Sequence, residues 1–172
     1  MTAAFGVNVG FTGTRWEMSE AQKTAVYALL DELRGLGCDL SVHHGDCVGA
    51  DADFHIIARS LGAYTVGHPP DNAKLRAYCT FDMTMPPLPY MKRNKNIVRS
   101  ALLMIATPLE MTKHERGGTW GTRTMAINMN RPIATVLRDV RSSIGGATSL
   151  SISPRSCSPG STNETPARHP PT

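Results

Sequence analysis

The most constraining feature of this sequence is a repeated alternation. Short apolar runs take turns with segments in which apolar residues recur at helical spacing. Residues 5–11 form a β-rich run that ends in glycine-rich sequence. Over residues 18–34, Ala21, Ala25, Ala28, Leu29 and Leu33 repeat with the period of one helix face, and Gly35 and Gly37 close the segment. Residues 40–44 read as a second strand and 50–61 as a second helix stopped by Gly62. Residues 63–66 read as a third strand, ended by His68-Pro69-Pro70. An irregular stretch over 71–87 leads to a basic helix over 90–100 and a fully apolar fourth strand over 101–106. A helix over 119–129 and a fifth strand over 132–137 complete the pattern.

Strands separated by helices in this way require crossover connections, and those place helices on both faces of a parallel sheet. Short, uniformly apolar strands fit a sheet buried on both sides. The expected fold is α/β: a Rossmann-like, three-layer αβα arrangement around a mainly parallel sheet of about five strands. After Val140 the chain turns to Ser, Thr, Pro and Gly with few large apolar residues. Such a segment buries too little surface to offset its ordering entropy. The expected division is one domain over 1–140 and a disordered Ser/Pro-rich tail over 141–172. At 41% hydrophobic and 19% charged residues, the composition is that of an ordinary globular chain.

Several function classes recede at this stage. No apolar run approaches the ~20 residues that span a bilayer. No signal peptide is recognisable, so a cytoplasmic location with free thiols is expected. The four cysteines, Cys38, Cys47, Cys79 and Cys157, show no CxxC spacing. The net charge of +4 is modest, and part of the basic excess lies after Val140. That weakens a nucleic-acid reading based on charge alone.

Four constellations carry the candidate chemistry, and in a parallel sheet the carboxyl edge is where they count. Gly10-Phe11-Thr12-Gly13-Thr14-Arg15 follows the first strand: glycines admit an anion to the backbone, the threonines add hydroxyls and Arg15 adds a fork for phosphate. Gly45-Asp46-Cys47-Val48-Gly49-Ala50-Asp51 follows the second strand and opens a helix. Asp51 and His55, four apart, share a helix face and can pair; the alternative is that Asp51 braces the loop and His55 is a packed core residue. The HEXXH pattern is absent and this pair lacks a third ligand, so no metal is expected. Arg93 and Asn94 sit near the start of the basic helix that also carries Lys92, Lys95 and Arg99. Glu115-Arg116-Gly117-Gly118-Thr119-Trp120-Gly121-Thr122 makes a second anion-friendly loop at a helix start, where Trp120 offers a face for a base.

In this order the motifs resemble the SLOG superfamily of Rossmann-like proteins, including the DNA-processing protein A core and small YspA-like members. The resemblance runs over residues 7–137. It is carried by Gly45-x-x-x-Gly49-Ala50-Asp51-x-x-x-His55, by Pro89-x-x-x-Arg93-Asn94-x-x-Ile97, and by Gly118-Thr119-Trp120-Gly121-Thr122 with Ala126. It implies a nucleotide or nucleotide-derived ligand, bound by Gly10, Thr12, Gly13, Thr14, Arg15, Gly45, Gly49, Arg93, Asn94, Gly117, Gly118, Thr119, Trp120 and Thr122. The enzymatic branch, the lonely-guy phosphoribohydrolases, implies hydrolysis of the N-glycosidic bond of a nucleoside monophosphate. The glutamate of that branch's motif falls on Met125 here. Asp46, Asp51 and Glu115 are the remaining acid–base candidates. Single-stranded DNA binding and non-catalytic sensing of a nucleotide signal are the alternatives. No cofactor is expected, and a homodimer or higher homo-oligomer is.

Overall fold

A computed structural model describes residues 5–109 and 118–138. The expected tail over 141–172, and Glu115 and Gly117 of the second glycine-rich loop, lie outside the described residues. The elements run β1 (Phe5–Gly13), α1 (Glu20–Gly35), β2 (Cys38–His44), α2 (Ala50–Ser60), β3 (Tyr64–Gly67), a 3-10 turn (Ala73–Leu75), β4 (Met83–Thr84), α3 (Tyr90–Ser100), β5 (Leu103–Thr107), α4 (Gly118–Asn128) and β6 (Ile133–Thr135).

The six strands form one sheet in the order β4-β3-β2-β1-β5-β6, with every pairing parallel. The expected five strands are thus six. The additional one, β4, pairs only Met83 with Val66 and Thr84 with Gly67. Two exposed residues carry no readable alternation, and an edge strand needs no apolar run. It is held by Asp82, which accepts from the Thr65 amide at 2.7 Å, from the Thr65 hydroxyl at 2.8 Å and from Arg59 at 2.9 Å. These donors hold the exposed Asp82 carboxyl down at about 2, the Thr65 amide foremost.

Alternation along β1 sorts the two faces. Val7, Val9 and Phe11 point to α1 and α2 and join Val26, Leu30, Leu40, Val42, Phe54 and Ala58 in the larger core. Phe11 stacks on Phe54 with ring centroids 4.2 Å apart. On the other face Ile97, Val98, Ala101, Met104 and Ala126 make the smaller core under α3 and α4. Ser19 caps α1 in a reciprocal capping box with Gln22. The Gln22 side chain then donates to the carbonyls of Pro108 (3.1 Å) and Val136 (3.0 Å). One buried amide therefore ties α1 to the exits of β5 and β6.

Candidate functional site

From β1 the chain moves toward β2 and β3, whereas β5 and β6 lie on its other side. The carboxyl ends of β1 and β5 therefore flank a topological switch point, the position where open α/β sheets leave a crevice. A cleft lies there, lined by Phe11, Thr12, Gly13, Thr14, Arg15, Cys47, Asp51, Leu75, Tyr90, Arg93 and Asn94. It draws on β1 and its loop, the loop before α2, the 3-10 turn and the first turn of α3.

Arg93 is its central cation. Only 4% exposed, it donates from Nη2 to the Cys47 sulfur at 3.1 Å and lies over the Tyr90 ring at 5.0 Å. Its Nε has no partner, and no described carboxylate comes within 4.0 Å of the guanidinium. A buried cation without an ion pair is costly. Thr107 Oγ1, at the end of β5, is also buried with no partner among the described residues.

Asp51 faces the same cleft from the first turn of α2. Its Oδ2 accepts from the Cys47 amide at 3.1 Å, and the Gly45 amide also bonds it. Burial pushes the Asp51 carboxyl up to about 6, against the pull of Arg93 and the two amides. Burial and the Asp51 charge likewise raise the Cys47 thiol, despite Arg93. Asp51 does not pair with His55. His55 Nδ1 instead meets His44 Nε2 at 3.0 Å, because β2 delivers His44 to the face of α2 that His55 occupies.

Several glycines serve close packing. A side chain on Gly10 would strike Met104, Ala101 and Ile97, so Gly10 lies inside the α3-side core and away from the cleft. One on Gly13 would strike Ala50 at the start of α2 and the Thr107 hydroxyl. One on Gly45 would fall on the Arg93 guanidinium and on Asp51. Gly49 has φ +90° and lies against the Arg15 backbone. Gly118 backs onto Tyr90.

The predicted residues take different places around the cleft. Thr12, Thr14, Arg15, Arg93, Asn94 and Asp51 line the cleft. Thr119 and Thr122 hold its frame. The Thr119 hydroxyl donates to the Gly13 carbonyl at 2.7 Å, and Asn94 donates to Thr122 at 2.7 Å, while Thr122 donates to the Gly118 carbonyl at 2.9 Å. Trp120 is not among the lining residues and packs with Arg123 of its own helix. Asp46 is fully buried as a brace. Its carboxylate accepts from Arg76 at 2.7 Å and from the Cys79 amide at 2.9 Å, and its φ is +55°. Tyr90, Cys47 and Leu75 are cleft residues that the sequence reading did not single out. Tyr90 was legible in principle, standing one turn before Arg93 on a helix that opens at a carboxyl edge.

No family model matches the chain, and no curated protein matches it. Solved structures do. The molybdenum cofactor binding protein from the phototrophic bacterium Rippkaea orientalis is 18% identical, with a TM-score of 0.57 over 81% of this chain and 80% of that one. The Moco carrier protein from Chlamydomonas reinhardtii is 17% identical, with a TM-score of 0.57 over 76% of each chain. DNA processing protein A from Streptococcus pneumoniae is 20% identical, with a TM-score of 0.57 over 79% of this chain and 52% of that protein. At these identities the likeness is one of fold. The chain has the Rossmann-like α/β fold that these structures share.

Proposed function

We propose that the cleft at the carboxyl edge binds the phosphate of a nucleotide or nucleotide-derived small molecule. What carries the reading is Arg93: a buried guanidinium with a free Nε, no carboxylate partner among the described residues, and a loop of Thr12, Gly13, Thr14 and Arg15 beside it. The structural neighbours include a Moco carrier protein and a molybdenum cofactor binding protein, which is consistent with a small-molecule ligand at this fold's edge. The test is a thermal-shift and calorimetric screen with nucleoside monophosphates, dinucleotides and ADP-ribose. A ligand at 100 times its Kd adds about 2.7 kcal/mol of stability. Arg93→Ala should then lose roughly 1.5–3 kcal/mol of affinity, the range for a charge-assisted hydrogen bond. Unchanged affinity in that variant would overturn the reading.

For hydrolysis of the N-glycosidic bond the acid is Asp51, which lines the cleft with its carboxyl pushed up to about 6. Release of free base from a nucleoside monophosphate, abolished in Asp51→Asn, is its signature.

One observation favours single-stranded DNA as a second reading. Lys92, Lys95 and Arg99 are exposed along α3 beside the buried Arg93, and a neighbour of this fold, DNA processing protein A from Helicobacter pylori, binds single-stranded DNA. Oligonucleotide binding that falls steeply with salt, by about 0.7 log unit per log unit of salt for each phosphate neutralised, would select it. All four basic residues would then contribute alike.

A further inference from the structure

One helical turn along α2 from Asp51, outside the cleft lining, a second cluster is brought together from three separate elements. His44 ends β2, His55 stands in the middle of α2, and Cys79 lies on the segment between the 3-10 turn and β4. One ligand atom from each lies within 4.8 Å of the other two. His44 Nε2 and His55 Nδ1 are 3.0 Å apart. Both histidines are buried, and aromatic rings enclose them: Phe81 sits 4.7 Å from His44 and 4.9 Å from His55, and Phe54 meets His44 edge-on at 5.8 Å.

We propose that His44, His55 and Cys79 form a binding site for a zinc-type divalent cation. Two imidazole nitrogens and one thiolate are a donor set for a borderline-soft ion and a poor one for magnesium or calcium, which take oxygen. Two imidazoles at about 2.05 Å from one tetrahedral ion have their nitrogens about 3.3 Å apart. The observed separation thus needs only a slight opening of the pair. The His55 ring also bonds the Thr80 backbone, the kind of outer contact that fixes a ligating imidazole. Three protein ligands leave a fourth position for water. Uptake deprotonates the Cys79 thiol and releases that proton to solvent, with no change of oxidation state. The competing arrangement places a proton between the two rings. There the Asp46 amide donates to His44 Nδ1 at 3.3 Å, and His44 Nε2–H donates to His55. A metal on Nε2 requires the His44 proton on Nδ1, facing that amide, so the two states exclude one another.

Zinc content and cobalt substitution of the full chain separate them. The chain produced in zinc-supplemented medium should hold about one zinc per molecule, as a three-ligand site does. The cobalt-loaded protein should show a thiolate-to-cobalt charge-transfer band. Cys79→Ser should abolish that band and His55→Ala should lose the metal, whereas Cys38→Ser, at the far end of β2, should keep both. Should His55→Ala fail to fold, the half-buried Cys79 decides alone. Substoichiometric zinc with no thiolate band in the native chain, or a band that persists in Cys79→Ser, would overturn the proposal.

Discussion

A few atoms set the chemistry of the cleft. Arg93 and Asp51 line one cleft without a direct ion pair, and Arg93 pulls the Asp51 carboxyl down against burial. Asp51 titrates near 6 because burial disfavours its anion more than Arg93 and two amides favour it. Below that pH the carboxyl is neutral and the Arg93 field is unopposed. We expect the affinity for a permanently charged anion such as sulfate to rise as pH falls from 8 to 5. In Asp51→Asn the affinity should be tighter at pH 8 and flat with pH. Calorimetric titrations at both pH values check this; an unchanged pH slope in the variant would detach Asp51 from the site. Gly45 supplies a second residue-scale test. A Cβ there falls on the Arg93 guanidinium, so Gly45→Ala should displace it and weaken nucleotide binding by roughly 1.5–3 kcal/mol, as loss of the charged hydrogen bond would. Binding of the folded variant at native strength would show that Arg93 does not contact the ligand.

Among elements, the junction of α3 and α4 matters most, because it frames the cleft on the β5 side. Asn94 and Thr122 are buried and bonded to each other, and Thr122 is bonded back to its own helix start. Thr122→Val keeps the shape and removes the acceptor that Asn94 uses. An unmet buried donor costs about 1–3 kcal/mol. In a chain of this size each kcal/mol lowers Tm by roughly 2–4 °C. Thermal unfolding of the variant should show that fall, and a Tm within a degree of native would mean that the amide finds another partner. This junction was only partly legible in the sequence. The basic helix of α3 and the glycine-rich start of α4 were visible, but the pairing of position 94 with 122 depends on two helices meeting across one face of the sheet.

For the molecule as a whole, the histidines govern acid stability. His43 and His68 share a 3.0 Å contact, as do His44 and His55, and all four rings are buried. Burial lowers each of them, and His68 is pushed down to about 4 by burial, then by His43 and Arg93. A base whose folded pKa is depressed adds stability above its unfolded pKa near 6.5 and loses it as pH falls through the folded value. Asp51 has the opposite sign: its raised pKa adds stability at low pH that is lost as pH rises from about 4 through 6. In the metal-free chain, four histidines against one aspartate should leave a net fall in Tm between pH 7 and 4.5. The fall should be steeper in Asp51→Asn and shallower in His68→Asn. Scanning calorimetry across that window would refute the assignment if His68→Asn left the slope unchanged.

The α/β alternation, the helices of the body and the glycine-rich turns at strand exits followed from the sequence, because period and turn chemistry are local. So did the gathering of Thr12, Arg15, Asp51 and Arg93 at one edge: parallel strands send every strand exit to the same side. Strand order and the two-residue β4 did not follow, since edge pairing needs neither an apolar run nor alternation. The job of each glycine was equally hidden. Gly10 and Gly13 stand three positions apart in one glycine-rich run, but one lies under Met104 and the other against Ala50 and Thr107. The third member of the histidine cluster, Cys79, is 24 positions from His55 in a segment without periodicity. Only the packing of that segment across β3 and α2 brings its sulfur to the two rings, and contacts between distant segments are set by the whole core and not by any local pattern.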